Sequence, residues 1–131
     1  MEDKWLMLYR TFQGEKLSLL GFDTMRLPSG EVDEQTTRDM VKLALDSSVN
    51  YFDTAYPYHS GASERVIGRA LADYPRESFY LTTKYPGHQV KQSYDPAAVF
   101  EEQLKKCGVG ERNPSARFAG TSPFRGGFWG G

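Results

Sequence analysis

Three side chains of different chemistry stand where strand-like sequence gives way to loop. Asp53-Thr54-Ala55-Tyr56-Pro57-Tyr58 closes a short strand candidate, Tyr51-Phe52-Asp53, and Lys84 follows a second, Phe79-Tyr80-Leu81-Thr82-Thr83. If both are strands of a parallel barrel, their ends open on one face, where barrel enzymes place their reacting groups. A carboxylate, a phenol and an amine meeting there suit carbonyl reduction. Hydride addition leaves negative charge on the carbonyl oxygen, and a side chain must protonate it. A phenol with a pKa of about 10 is a weak acid at neutral pH, and a neighbouring ammonium stabilises phenolate and lowers that value. Lys84 is placed to do this for Tyr58, and Asp53 to hold Lys84 and keep it protonated. Taken singly, each residue has a plainer reading: a strand-end Asp caps a loop, a Tyr packs, and a Lys is solvated.

The elements that must position these groups follow from periodicity. Leu17 to Gly21 is mostly apolar and reads as a first parallel strand buried on both faces. A loop, Pro28-Ser29-Gly30, leads to a helix from Asp33 to Ser47 with Thr37, Met40, Val41, Ala44 and Leu45 as its apolar stripe. A second helix is capped by Ser63 and carries Val66, Ile67, Ala70 and Leu71 at the same spacing, with Arg65 and Arg69 on another face. After the third strand and the Pro86-Gly87 turn, Asp95-Pro96 marks a third helix start, with Val99, Phe100 and Leu104 inward. Its Glu101–Lys105 and Glu102–Lys106 pairs read as a solvated face. Strand ends at Gly21, Asp53 and Lys84 recur at roughly the 30-residue size of a βα unit. The expected fold is α/β, a partial (β/α)8 TIM barrel of about three βα units of parallel sheet preceded by an N-terminal hairpin.

Composition excludes several classes. A net charge of −1 argues against a surface for nucleic acid or an anionic membrane, although it leaves room for local basic patches, and the apolar stretch Trp5 to Leu8 is too short for a membrane span or a signal-peptide core. No nucleic-acid partner and no membrane are expected. Cys107 is the only cysteine, so no intrachain disulfide or cysteine metal cage forms; a reduced, cytoplasmic setting is expected, with no metal and an inert, packed thiol. Residues 110–131 are rich in Gly, Ser, Pro and Arg without an apolar run of strand length, and disorder is expected there.

Four ordered motifs resemble the aldo-keto reductases: Leu20-Gly21-Phe22-Asp23-Thr24-Met25-Arg26, Asn50 to Tyr58, Ser63-Glu64-Arg65-Val66-Ile67-Gly68-Arg69-Ala70-Leu71, and Thr83-Lys84-Tyr85-Pro86. Together they are far more specific than any one alone. The resemblance implies an eightfold βα barrel, NADPH as hydride donor and a small aldehyde or ketone as substrate. Tyr58 then matches the proton donor, Lys84 the lysine that tunes it and Asp53 its paired aspartate, while Gly21, Thr24 and Asp53 fall beside the cofactor. Arg10-Thr11-Phe12 matches the hairpin that plugs the barrel's other end. Four departures stand out. Asp23 occupies a usual glycine beside the nicotinamide, neither His59 nor His88 matches the family's fourth-strand histidine, the sequence after Val109 does not continue the pattern, and the strands and loops that the resemblance implies for most NADP phosphate contacts are expected to lie beyond this chain. The expected organisation is residues 1–109 as the amino-terminal part of a barrel, cut off before its site is complete, and residues 110–131 as an unrelated tail. Such a chain is expected to be inactive alone. Alternatively, it is a non-catalytic module that self-associates through open sheet edges.

Overall fold

A computed structural model describes residues 6–27, 33–84 and 95–109. The Pro28-Ser29-Gly30 loop, the Pro86-Gly87 turn, His88 and the tail from Gly110 lie outside the described residues. The chain opens with a hairpin of β1 (Tyr9–Phe12) and β2 (Glu15–Ser18), antiparallel from Tyr9↔Ser18 to Phe12↔Glu15. Its two turn residues, Gln13 and Gly14, both have positive φ (47° and 81°), the turn whose twist matches paired strands.

A parallel sheet follows, in the order β3 (Phe22–Asp23), β4 (Tyr51–Asp53), β5 (Tyr80–Thr82). Phe22 pairs with Phe52 and Asp23 with Asp53; Phe52 pairs with Leu81 and Asp53 with Thr82. The expected first parallel strand is therefore displaced. Leu17 and Ser18 belong to the hairpin, Leu19 and Leu20 are 54% and 62% exposed, and the sheet begins at Phe22. An apolar run without alternation does not say where pairing starts. Ring packing decides it here: Phe22 lies 5.6 Å from Phe52, which stacks edge-on to Phe79 at 6.3 Å.

Three helices cover the outer face. In α1 (Glu34–Asp46), Asp33 accepts the Thr36 amide at 3.0 Å, and Thr37 and Val41 are fully buried, but Met40 is left 38% exposed. In α2 (Ser63–Leu71), Ser63 is the first helical residue rather than the cap; the cap position is Ala62, which makes no side-chain cap bond. In α3 (Pro96–Lys106), Asp95 accepts the Ala97 amide at 2.9 Å and Pro96 opens the helix as its sequence implies. The inward face of α3 differs from expectation: Gln103 and Leu104 are buried with Cys107, whereas Phe100 is 40% exposed. The Lys106 side chain is also turned inward (6% exposed), so the expected solvated face holds for Glu101, Glu102 and Lys105 but not for Lys106. Gly68 lets α2 approach the Cys107 backbone at the end of α3. No helix among the described residues is long and apolar enough to cross a membrane.

A methyl group at Gly68 would sit 2.6 Å from the carbonyl carbon and oxygen of Cys107, backbone atoms that cannot swing aside. Gly68→Ala should thus cost about 1–3 kcal/mol of overpacking despite alanine's better helix propensity. A urea midpoint equal to or above that of the parent chain would show that α3 is not seated on α2 in this way.

Candidate active site

The β4–β5 register brings Asp53 and Lys84 to the carboxy-terminal end of the sheet. Side chains alternate, so Phe52, Leu81 and Thr83 face the helices while Tyr51, Asp53, Thr82 and Lys84 share the other face. The Thr82 hydroxyl donates to the Tyr51 oxygen at 2.9 Å across that face. Beyond the last paired residues, the Thr54 amide donates to the Thr82 carbonyl at 2.8 Å and the Tyr56 amide to the Lys84 carbonyl at 3.2 Å. These bonds carry the ladder into the loop that bears Tyr58.

The Lys84 ammonium donates to an Asp53 carboxylate oxygen, to the Thr54 carbonyl at 3.2 Å and to the Tyr58 phenol oxygen at 3.2 Å. It also lies 4.9 Å from the Tyr58 ring centre. Asp53, Tyr58 and Lys84 thus form one cluster, with about a quarter of the Lys84 and Asp53 side chains left to solvent (25% and 23%). Burial is the largest influence on Lys84 and pulls its pKa down. The hydrogen bond and charge of Asp53, followed by Tyr58, outweigh it and hold the ammonium above its ordinary 10.5. Burial also dominates at Asp53, pushing its carboxyl up against the opposing pull of Lys84, and the neighbouring Asp23 charge adds to the rise.

The other residues singled out in the sequence are placed as follows. Gly21 is exposed just before β3, where a side chain would begin 3.3 Å from the Tyr51 ring. Thr24 is fully buried; its amide and hydroxyl both donate to the Asp53 carbonyl at 3.0 Å. Its hydroxyl also accepts from Ser63 at 2.8 Å, and Ser63 meets the Thr54 hydroxyl at 2.9 Å. This hydroxyl chain fastens β3, β4 and the start of α2, and it explains why Ser63 is not a cap. Asp23 turns its carboxylate to the Met25 amide at 2.9 Å. His59 lies beside the same loop, its Nε2 3.1 Å from the Thr24 carbonyl and 3.3 Å from the Leu27 amide. Cys107 is packed away, its thiol pushed up to about 12 chiefly by burial and then by the Glu64 charge.

A second polar group, behind the first, is absent from the sequence expectations: Glu64, Thr83, Gln103 and Lys106. Glu64 is fully buried and faces Lys106 at 2.9 Å, while its other oxygen accepts from Thr83 and from Gln103. The signal was present in the spacing. Glu64 lies three residues before Ile67 and Gln103 four after Val99, so both fall on buried stripes where a polar residue needs a buried partner.

Residues 19–112 match the model of the aldo/keto reductase family. The chain belongs to that family. It is 39% identical over 94 residues to aldo-keto reductase dtxS3 of Metarhizium robertsii (62% of this chain, 25% of that protein). It is 37% identical over 76 residues to the soybean (Glycine max) protein named probable aldo-keto reductase 1 (56% and 22%). The chain therefore spans about a quarter of the length of these curated relatives. Among solved structures, aldo-keto reductase AKR11C1 from Bacillus halodurans in its holo form superposes with a TM-score of 0.66 at 26% identity, covering 79% of this chain and 37% of that one. A Klebsiella pneumoniae aldo-keto reductase in complex with NADPH has a TM-score of 0.66 at 19% identity over 79% and 37%, a likeness of fold alone. The three parallel strands and their helices are thus part of a (β/α)8 barrel, with no closed barrel among the described residues.

The pKa of Lys84 is raised, so its contribution to folding is complete below 10.5 and is lost as pH climbs through its elevated value. In urea unfolding, the stability gap between the parent chain and Lys84→Met should be constant from about pH 7.5 to 9.5 and narrow above that range. A gap that widens with alkali would contradict the ammonium's role.

Proposed function

We propose that this chain supplies the proton-donating side chains of a carbonyl reductase of the aldo-keto reductase family, acting on aldehydes or ketones. The observation that carries this reading is the Lys84 ammonium joining the Asp53 carboxylate to the Tyr58 phenol, partly open to solvent at the strand ends. Tyr58 gives its proton to the carbonyl oxygen as negative charge develops there. Lys84, 3.2 Å from the phenol oxygen, stabilises the negative charge left on it. Asp53 keeps the ammonium aimed at that oxygen and protonated throughout.

A nicotinamide cofactor, when bound, supplies the hydride. The cluster fits such a partner because it offers a proton and a fixed positive charge to a developing alkoxide, while none of its side chains can supply the hydride that reduces carbon. NADPH is the proposed donor, as the family resemblance of the four motifs implies. Gly21 and Asp53 would face it, with Thr24 acting through its grip on Asp53. A small carbonyl compound is the proposed partner, and a cytoplasmic setting is proposed with it. A second reading, self-association of copies, is favoured by the exposure of Leu6, Leu8, Leu19 and Leu20 (85%, 66%, 54% and 62%), which flank the two strands of the hairpin. Sedimentation of a concentration series would show it as a rising mass.

Grafting Tyr9 to Val109 in place of the matching segment of the Bacillus halodurans reductase tests the chemistry within a whole barrel. The chimera should reduce an aldehyde such as 4-nitrobenzaldehyde with NADPH, and Tyr58→Phe should lower its kcat by about 10²–10⁴, the usual worth of a positioned general acid. The 131-residue chain alone should give no more than trace turnover, since a (β/α)8 barrel takes about 250 residues. A folded chimera whose rate is indifferent to Tyr58→Phe would remove the assignment of the proton donor.

A further inference from the structure

We infer that Glu64 and Gln103 are positioning residues for Lys84, forming a buried carboxylate–amide clamp anchored by Lys106 that sets where the end of β5 lies. This deepens the carbonyl-reductase reading, because it gives Lys84 its importance. β5 ends at Thr82, and the strand's own pairing does not hold Thr83 and Lys84. Alternation sends Lys84 toward the Tyr58 side and Thr83 toward the helices, so whatever grips Thr83 sets the rotation of Lys84. The Thr83 hydroxyl donates to Glu64. The Gln103 amide donates to the same Glu64 oxygen at 2.8 Å and to the Lys84 carbonyl at 3.0 Å. That carbonyl also accepts the Tyr56 amide at 3.2 Å, so Lys84 is held from the helix side and from the loop side together.

The clamp closes on itself. Lys106 pairs with the remaining Glu64 oxygen at 2.9 Å and lies 4.1 Å from the ring centre of Tyr56, the residue whose amide grips Lys84. Glu64 is fully buried, Gln103 is 1% exposed and the Lys106 side chain 6%. Stability alone does not call for such a group, since apolar residues of equal volume in place of a buried ion pair are often neutral or stabilising. What an apolar trio would lack is direction. Hydrogen bonds with fixed angles locate the Lys84 backbone, and a shift of about 1 Å at a reacting group can cost on the order of 10²-fold in rate.

The test reads Lys84 without turnover. In the 131-residue chain labelled with ¹³C-lysine, the Lys84 side-chain signal should titrate above the ordinary 10.5. Gln103→Leu and, separately, Thr83→Val should each move that midpoint down toward 10.5 as Lys84 draws away from Asp53, with the exposed lysines unchanged. Thr83→Val keeps shape and β-branching, so it answers the question if Gln103→Leu fails to fold. An unmoved Lys84 midpoint in a folded variant, or unfolding of both variants, overturns the clamp. An inactive chimera with a responsive Lys84 would remove the catalytic reading and leave the clamp. An active chimera with an unresponsive Lys84 would do the reverse.

Discussion

An ammonium group withdrawn from most of its water needs acceptors on several sides, and Lys84 finds them at the end of the neighbouring strand β4 and in the loop that leaves it. The carboxylate of Asp53, the carbonyl of Thr54 and the phenol of Tyr58 reach it together because Asp53 pairs with Thr82, two residues before Lys84. A slip of one residue between β4 and β5 would turn Asp53 toward the helices and Phe52, now fully buried, toward the open face. The core of Phe52, Val41, Ile67 and Leu81 therefore does more than hold the sheet. It fixes the register from which the site is built.

The two lysine–carboxylate pairs are stacked but differently housed. Asp53 and Lys84 keep about a quarter of their surface, whereas Glu64 and Lys106 keep almost none. The partly open pair bears a cost at Asp53, whose raised pKa favours the protonated form, so its ionisation weighs against folding as pH rises through the acid range. The ammonium of Lys84 carries no such cost below 10.5, where its raised pKa favours the charged form. The asymmetry keeps Lys84 a cation beside the Tyr58 phenol.

Much of this was legible in the residues. Asp33 and Asp95 announce helix starts because a short acidic side chain can accept a free amide there, and both do. The placing of Asp53, Tyr58 and Lys84 at neighbouring strand ends followed from the spacing of βα units. The first parallel strand did not, since Leu19 and Leu20 have the hydropathy of a core strand and lie on the surface. The polar clamp escaped for a related reason. Glu102 and Lys106 have the i,i+4 spacing of a surface pair, and they stand 4.0 Å apart, yet Lys106 turns inward to Glu64, a partner 42 positions earlier (106 minus 64). Periodicity assigns a face to each residue; it does not say which long side chain will leave its own helix for a buried charge.

The loop that presents Tyr58 carries a second kind of constraint. His59, Ser60 and Gly61 follow it with φ of 52°, 55° and 92°, three successive left-handed residues of which only the glycine adopts that region freely. Such conformations cost on the order of 1–3 kcal/mol per non-glycine residue and persist where surrounding contacts impose them. Here the contacts are visible: His59 lies within hydrogen-bond reach of the Thr24 carbonyl and the Leu27 amide, and the Ala62 amide returns to the His59 carbonyl at 3.1 Å. The same Thr24 grips Asp53 through its amide and hydroxyl. One residue thus ties both ends of the cluster, the carboxylate strand and the turn behind the phenol, to the end of β3. The strained turn thus follows directly on the residue whose phenol oxygen stands 3.2 Å from the Lys84 ammonium, and the contacts that impose it also fix where that phenol is presented.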